Sequence, residues 1–510
     1  MIYKQILLSI FIFIFTACGD NSIPSTQNNK IIEESNNSVE SNISSIAEDN
    51  ITEEIIIESS IKNSELNTTF KASSKTVTLY IHGYRQKGFE KEGDYGRGWY
   101  NTFYDNLKEF TQLPSIDYED INSFDKDNFY NFLTSIDYYG QTMPSYYDQE
   151  DSDEIEEVNQ KYGGGIPKYA LIVAKYIKYI IDKTEAQKVN IVSVSMGSLV
   201  TRWMIEKNLE NLSSDKKIEK WISVEGVIRG NYALSQVDNS SILNLFFTHS
   251  PETEQMKYDW IKENLNPNPN EMNSPYYDNI LVGQISLTDG TKSNSLLKYV
   301  LPLYGGFQPN DGMQILQDTY FDPIKNSIQI PTHTILHGDH IDIKNNKGAF
   351  ANIASFLEPK KRVRLTLIDT TVTDIHEDIS SRNRGSEIIF ESRIFSEEAN
   401  QRWNVDEAID ERLFDSGALK IHNYDEAGVT YSLDEMIFNS FVSKDEKELS
   451  VSIESYEIDR SSIYNINETN KVSKKESLGE ATQIVPLKNG TYDISAQDWS
   501  GKIKVEVLEM

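Results

Sequence analysis

The sequence is poor in cysteine, in basic residues and in long apolar runs, and each shortage excludes a class of protein. Its 510 residues contain one cysteine, Cys18, so no intrachain disulfide can form. There are 49 lysines and arginines against 79 aspartates and glutamates, a formal net charge of -30. Because a phosphate backbone is bound by clustered cations, this balance argues against a nucleic-acid partner. The length suits two or three domains.

One mostly apolar run opens the chain, and it is too short for a dedicated transmembrane helix. It extends from Ile6 to Phe15, follows Lys4 and precedes Thr16-Ala17-Cys18. This order is typical of a secretory signal peptide, with an uncleaved anchor helix as the alternative. The segment FTAC resembles the lipobox of bacterial lipoproteins, which implies a signal peptide over 1–17 and lipidation of Cys18. Acyl chains on Cys18 would hold the exported protein on a membrane of the bacterial cell envelope, at the outer membrane or cell surface.

The next segment is predicted to be a disordered tether over 18–74. It is rich in Asn, Ser, Glu and Ile and has one aromatic residue, Phe70. Such a composition buries too little apolar surface to offset the entropy of ordering, so we expect a flexible linker of about 50 residues.

Residues 75–358 alternate strand-like and helix-like patterns. Apolar strand runs are followed by periodic segments, one of which begins at Pro167 and extends to about Lys183. Strands alternating with helices predict a mostly parallel sheet with flanking helices, an α/β fold. The Tyr-rich region from Tyr95 to Tyr147 is expected to form long loops with short helices. The expected strands are Val77–Ile81, Val189–Val194, Trp221–Val224, Ile280–Ser286 and Ile330–Gly338.

The pattern changes beyond Pro359. RVRLTLID, LSVSIESYEI and GKIKVEVLEM alternate apolar and polar residues, and no comparably strong helical segment interrupts them. This period of two predicts a separate C-terminal all-β sandwich domain over 360–510.

A sharp strand-to-helix turn places one serine at its apex. In VNIVSVSMGSLVTRW, Ser195 separates a buried strand from a helix, with Ser193 and Gly197 as small residues on either side. This matches the nucleophile elbow G-x-S-x-G except at its first glycine, where Ser193 stands. The alternative is a plain helix N-cap serine.

A serine nucleophile needs a base and an acid. The chain has seven histidines, and His333, His337 and His340 cluster downstream of the serine. The loop position of His340 leaves it most freedom to reach the carboxyl ends of the strands. Asp311 in NDGM is the first choice of acid and Asp289 in LTDG the rival, although either Asp-Gly pair could simply form a turn.

Four spaced motifs resemble those of secreted bacterial triacylglycerol lipases. They are Ile81-His82-Gly83-Tyr84, the elbow at Ser195, Phe307-Gln308-Pro309-Asn310-Asp311-Gly312-Met313 and Gly338-Asp339-His340-Ile341-Asp342. The resemblance implies an α/β-hydrolase fold over about Val77 to Ala354.

The resemblance also implies roles for individual residues. Ser195 would attack an ester carbonyl, His340 would take its proton and Asp311 would orient the imidazole. Backbone N–H groups of Met196 and Tyr84 would form the oxyanion hole. No cofactor or metal is expected, although Asp342 lies where some relatives have a calcium ligand.

Two segments have a more specific interpretation. The loop from Glu225 to Gly230 replaces a small-residue, histidine-containing loop of the lipases, and Glu225 and Arg229 are expected near the pocket, where they could alter substrate preference. Residues 233–275 form an insertion whose apolar cluster is either a movable lid or a buried cap helix. That cluster comprises Ile242, Leu243, Leu245, Phe246 and Phe247.

The leading hypothesis is a membrane-tethered serine hydrolase, a lipase or esterase, acting on ester or lipid substrates through an acyl-enzyme. Two alternatives remain: a catalytically silent surface binding protein on the same scaffold, and an acyltransferase or amidase of the envelope. The sequence leaves the oligomeric state and the physiological substrate open.

Overall fold

The computed structural model describes a large part of the chain from residue 76 onward. All described residues belong to the compact unit Glu65–Met510, one of two units into which the chain divides. The predicted signal peptide at 1–17, Cys18 and the tether at 18–74 lie outside the described residues. The described ranges are 76–84, 90–91, 94–95, 97–116, 131–139, 147–236, 250–265, 272, 274–287, 310–321, 331–336, 338–358, 361–373, 386–397, 422–443, 445–458 and 474–509.

The elements are numbered in chain order. The strands are β1 (Thr76–Ile81), β2 (Glu90–Lys91), β3 (Asp94–Tyr95), β4 (Asn131–Ile136), β5 (Lys188–Val194), β6 (Ile218–Val224), β7 (Leu281–Leu287), β8 (Thr332–Leu336), β9 (Lys361–Val372), β10 (Ser386–Phe395), β11 (His422–Tyr424), β12 (Thr430–Val442), β13 (Glu448–Ile458), β14 (Lys474–Pro486), β15 (Gly490–Ser495) and β16 (Trp499–Glu509). The α-helices are α1 (Arg97–Thr111), α2 (Gln149–Tyr162), α3 (Ile166–Thr184), α4 (Met196–Glu206), α5 (Tyr232–Ser235), α6 (Pro251–Gln255), α7 (Tyr258–Asn264) and α8 (Lys347–Leu357). Short 3₁₀ helices span Leu209–Asn211, Pro275–Asn279, Leu316–Thr319 and Asp342–Asn345.

A mostly parallel sheet with helices is the main feature of this unit, as the sequence predicted. Ten strands follow the order β15-β16-β9-β12-β8-β7-β6-β5-β1-β4. Strands β4, β1, β5, β6, β7 and β8 are parallel to one another. Because parallel strands point the same way, their carboxyl ends meet at one edge, where loops can bring distant residues together.

Helices cover both faces of the parallel part. Successive residues of β1 point to opposite faces: Leu79 joins the core beneath α3 and α4, and Tyr80 joins the core beneath α1 and α8. The helix predicted from Pro167 is confirmed, with Pro167 in the first turn of α3, where its missing N–H leaves no helical bond unmade.

Two expectations for the fold need correction. The region expected to be loops with short helices contains the 15-residue helix α1 and the edge strand β4. The six residues of β4, NFLTSI, are too few and too mixed in polarity for a clear strand pattern.

The predicted separate β-sandwich at 360–510 is not confirmed. Strands β9, β12, β16 and β15 extend the large sheet, where β12 pairs antiparallel with β8 through Asn439 and His333. The other four strands form a second sheet in the order β11-β10-β13-β14. Leu365 of β9 and Ile453 of β13 share one core. Alternation with a period of two predicts where a strand lies but not which strand it pairs with. The pairing of β12 with β8 therefore could not be predicted from the sequence.

Within the described ranges, every helix is too short or too polar to span a bilayer.

Candidate active site

The turn between β5 and α4 holds Ser195 in an unusual backbone conformation. Its φ is 54° and its ψ is -127°, a region that L-residues rarely adopt. The Ser195 N–H donates to the carbonyl oxygen of Val224 at 2.9 Å, which ties the turn to β6. The N-cap alternative is wrong, because the Ser195 hydroxyl makes no capping hydrogen bond. Its oxygen lies 3.1 Å from Nε2 of His340 instead.

Small residues on both sides make this turn possible. A Cβ atom at Gly197 would lie 2.4 Å from the carbonyl oxygen of His82, so only glycine fits there. Ser193 stands where the motif has its first glycine, and it is fully buried. Its hydroxyl accepts a hydrogen bond from Nε1 of Trp221 at 2.8 Å and lies 3.0 Å from Oγ of Ser198. The departure from the motif is therefore accommodated without an unsatisfied polar group.

The structure brings Ser195, His340 and Asp311 together from three distant parts of the chain. Nδ1 of His340 lies 2.6 Å from Oδ2 of Asp311, and its Nε2 faces the serine hydroxyl. A backbone bond of 2.9 Å from the His340 N–H to the Asp311 carbonyl oxygen joins the two loops. The ring therefore donates through Nδ1 and accepts through Nε2, the tautomer that general-base chemistry requires.

Electrostatics favour an ionised Asp311 beside a protonatable ring. Burial raises the pKa of Asp311, but the facing His340 and several hydrogen bonds outweigh burial and bring the pKa below its ordinary value. Oδ1 accepts from the N–H groups of Met313 at 2.8 Å and Gln314 at 2.7 Å. Burial lowers the pKa of His340, but the charge of Asp311 outweighs this effect and the pKa lies above its usual range.

Glu225 contacts the same imidazole, which the sequence interpretation did not predict. Its Oε2 lies 3.1 Å from Nδ1 of His340, and the residue is fully buried. Burial, followed by repulsion from Asp311, raises its pKa well above the ordinary value. The sequence indicates its position but not this contact: Glu225 is the first residue after β6, so it lies at the sheet edge that carries Ser195.

The same three side chains form one compact polar cluster. In the part of the chain that the structure describes, they are the one group of acidic and histidine side chains whose polar atoms lie within 4.8 Å of one another: Glu225, Asp311 and His340. Both carboxyl groups hydrogen-bond Nδ1 of His340, so the arrangement favours proton sharing. Asp342, the possible calcium ligand, is exposed, and its carboxylate accepts from Nδ2 of Asn345 at 3.1 Å.

The segment after β1 lies directly beside the serine. A Cβ atom at Gly83 would approach Cβ of Ser195 to 2.9 Å and its hydroxyl oxygen to 3.4 Å. The Tyr84 carbonyl oxygen accepts from the Tyr100 hydroxyl at 2.6 Å, and the Tyr138 hydroxyl donates to the His82 carbonyl oxygen at 2.5 Å. These bonds fix the backbone that carries one of the two predicted oxyanion donors.

His333 and His422 are engaged elsewhere. His333 lies in β8 with Nε2 3.0 Å from Oγ of Ser286, and burial lowers its pKa to about 3, so the ring stays neutral. His422 pairs with Glu435 at 2.6 Å. His249, His337, His376 and the rival acid Asp289 lie outside the described residues.

The two remaining expectations concern the pocket. Arg229 is buried, and its Nε donates to the Tyr320 carbonyl oxygen at 2.6 Å, so its guanidinium is used in holding a neighbouring loop. Of the insertion at 233–275, the structure describes α5, α6, α7 and part of their surroundings. The apolar cluster proposed as a lid, Ile242 to Phe247, lies outside the described residues.

Several solved structures of lipases and esterases resemble this fold. Lipase BlEst2 of Bacillus licheniformis in its propeptide form is 11% identical, with a TM-score of 0.36 over 86% of this chain and 94% of that chain. Phospholipase PlaB of Legionella pneumophila is 11% identical, with a TM-score of 0.34 over 81% and 89%. The carboxyl esterase MGS0156, from a metagenome, is 12% identical, with a TM-score of 0.30 over 53% and 65%. No protein-family model and no curated protein matches the sequence.

Proposed function

We propose that this protein is a serine hydrolase that cleaves carboxylic esters, a lipase or esterase on an α/β-hydrolase scaffold. The observation that carries the proposal is the continuous hydrogen-bonded path from Oγ of Ser195 through His340 to Asp311. Its geometry matches a nucleophile, a general base and an orienting acid.

The reaction begins with proton transfer from Ser195. Oγ attacks the ester carbonyl carbon while Nε2 of His340 accepts its proton, and the ionised Asp311 stabilises the imidazolium through Nδ1–H. Collapse of the tetrahedral intermediate breaks the ester bond, and the leaving alkoxide takes the proton from Nε2. Water then attacks the acyl-enzyme by the same route in reverse, releasing the acid and restoring the serine.

The developing oxyanion is stabilised by the backbone N–H groups of Met196 and Tyr84. Met196 is the first residue of α4, where the helix dipole also favours negative charge. Tyr84 follows Gly83, the residue whose backbone lies against the serine side chain. Losing one such donor typically costs about 3 kcal/mol of transition-state stabilisation.

The test is hydrolysis of p-nitrophenyl esters by the full chain, with acyl groups from acetyl to palmitoyl. We expect Ser195→Ala to lose more than about 10⁴-fold in kcat, and a fluorophosphonate probe to label the wild type but not the variant. Asp215→Asn, at an exposed carboxylate before the amino end of β6, is the control and should keep full activity. Equal turnover by wild type and Ser195→Ala would remove Ser195 from the mechanism, and a silent wild type would favour a binding protein. Product analysis with water and alcohol acceptors separates hydrolysis from acyl transfer.

We further propose that a lipid anchor at Cys18 tethers the enzyme to the bacterial cell envelope. The support is the order of cation, short apolar run, small residues and the single cysteine. In a bacterial host, labelled palmitate should appear in the wild type and be absent from Cys18→Ser, which should leave the membrane fraction.

A further inference from the structure

Glu225 occupies a position that is unusual for a glutamate, both in its backbone conformation and in its surroundings. Its φ is 50°, in the left-handed region that glycine or asparagine adopts most readily. Its N–H donates to the Ile285 carbonyl oxygen at 2.8 Å, and its own carbonyl oxygen accepts from Nε2 of Gln314 at 2.6 Å. These backbone bonds are available to any residue, so they do not explain why a glutamate stands there.

The side chain is also unfavourably placed for stability. It is fully buried, no basic residue other than His340 contacts it in the described ranges, and Oε1 has no hydrogen-bond partner. A buried carboxyl with an unsatisfied oxygen destabilises a fold, so its contact with the active-site imidazole is the feature that distinguishes this position.

Two carboxyl groups therefore face one ring nitrogen. Nδ1 of His340 lies 2.6 Å from Asp311 and 3.1 Å from Glu225, but it carries one hydrogen. The shorter bond and the backbone donors at Met313 and Gln314 stabilise Asp311 as the ionised partner. Two adjacent buried carboxylates repel each other, and burial with this repulsion raises the pKa of Glu225 while the pKa of Asp311 lies below its ordinary value, so Glu225 holds the proton.

We propose that Glu225 is a positioning residue that acts through His340 as a second, reserve acid of the proposed hydrolase. With Asp311 ionised, the protonated Glu225 supports it. When Asp311 loses its charge, Glu225 releases its proton and becomes the acceptor of the Nδ1–H bond. Two loops, one after β6 and one after β7, then supply interchangeable carboxyls to the same imidazole. The inference rests on the proposed function.

A double-mutant cycle tests this role. Asp311→Asn keeps the oxygen that accepts from Met313 and Gln314, so the loop should fold. If the new amide donates to Nδ1 of His340, it imposes the wrong tautomer, and the same change lowers kcat about 10⁴-fold in a comparable triad. The loss should be smaller here, because the Glu225 carboxylate can accept the Nδ1 hydrogen and keep the correct tautomer. We expect about a 100-fold loss of kcat in Asp311→Asn, about fivefold in Glu225→Gln and about 10⁴-fold in the double variant. Asp215→Asn, at an exposed carboxylate before β6, is the matched control.

The pH profile provides a readout that a merely structural role would not change. In Asp311→Asn the ionised Glu225 keeps the pKa of His340 raised, and in the double variant no carboxylate remains beside the ring. The midpoint of the acidic limb of kcat/KM should therefore fall by about one unit or more between these two variants. If Asp311→Asn does not fold, the downfield proton resonance of His340 Nδ1–H should move between wild type and Glu225→Gln.

The outcomes separate the two proposals. A double variant whose loss equals the product of the single losses, an unchanged acidic midpoint, or an unmoved Nδ1–H resonance would overturn the role of Glu225 while Ser195-dependent hydrolysis by the wild type stood. Absence of Ser195-dependent hydrolysis in the wild type would overturn the proposed function itself.

Discussion

His340 is the general base of the proposed reaction, and the protonation of its imidazole sets the pH range of activity. Burial lowers its pKa, but the neighbouring Asp311 and then Glu225 raise it above the ordinary 6.5. A general base works only when neutral, so kcat/KM should rise with pH and the midpoint of this rise should lie above about 6.5. The double variant Asp311→Asn/Glu225→Gln, which leaves no carboxylate beside the ring, should shift the midpoint to lower pH. Steady-state kinetics from pH 5 to 10 check this, and a midpoint below 6 in the wild type would contradict it.

The close approach of Gly83 to the serine gives a second prediction at this scale. A methyl group there would lie 2.9 Å from Cβ of Ser195, and both atoms are fixed by backbone, so the nucleophile must shift. We expect Gly83→Ala to lower kcat by on the order of 100-fold, since small displacements of reacting groups have effects of this size.

A matched glycine provides the control for that substitution. Gly490 lies in β15, and a methyl group there would have its nearest neighbour atom at 3.5 Å, an ordinary van der Waals contact. Gly490→Ala should keep full activity. Wild-type kinetics in Gly83→Ala would show that the segment after β1 tolerates displacement and would weaken the assignment of Tyr84 to the oxyanion hole.

Most of the site residues could be named before the fold was known. Serine chemistry demands a base and an acid, the chain has seven histidines, and the order serine, acid, histidine limits the choice. Glu225 could not be assigned in the same way, because a glutamate at a strand end is normally solvated. Its burial against His340 depends on how three loops pack, which no local pattern records.

At the scale of elements, Lys175 joins α2, α3 and the 3₁₀ helix Leu209–Asn211. Its Nζ lies 2.7 Å from Asp151, 2.6 Å from Glu154 and 2.8 Å from Glu210, and 7% of the side chain is exposed. Burial lowers its pKa, but hydrogen bonds with these three carboxylates outweigh burial and raise it. The ammonium is therefore charged at neutral pH.

Removing that ammonium should destabilise the helical layer strongly. Lys175→Met leaves carboxylates facing one another without a cation, and we expect a loss of about 3 kcal/mol in the free energy of unfolding. Lys178, which contacts Glu210 at 2.9 Å but is 60% exposed, is the control, and Lys178→Met should cost less than about 1 kcal/mol. Urea denaturation measures both, and equal losses would contradict a special role for the buried cation.

Individual helices and strands were easier to predict than the pairing of the strands. The helix α3 follows from Pro167 and an apolar stripe, and the strand runs around Ser195 follow from continuous apolar residues. The C-terminal strands were predicted by their alternation, but their partners were not. An antiparallel strand with one buried face can belong to either sheet, so the sheet that it joins depends on tertiary packing against β8.

At the scale of the whole described unit, the parallel strands and the C-terminal strands are joined by polar and apolar contacts beyond one ladder pair. Nδ2 of Asn439 donates to the Pro331 carbonyl oxygen at 2.9 Å, and its Oδ1 accepts from Arg362 at 3.1 Å. The ring of Phe441 packs edge-on against Phe356 of α8 at 5.5 Å. Phe441 therefore belongs to the core beneath the parallel strands.

This shared core predicts that the two parts unfold together. In urea, fluorophosphonate labelling at Ser195 should disappear over the same concentration range as the far-ultraviolet ellipticity, because the sheet is continuous from β4 to β15. Phe441→Ala, a truncation in β12, should lower the free energy of unfolding by about 3 to 5 kcal/mol and shift both transitions equally. Ile484→Ala, at a side chain that is 56% exposed, should shift neither by more than about 0.5 kcal/mol. Loss of labelling well before the loss of ellipticity would instead show that the parallel strands unfold independently of the C-terminal ones.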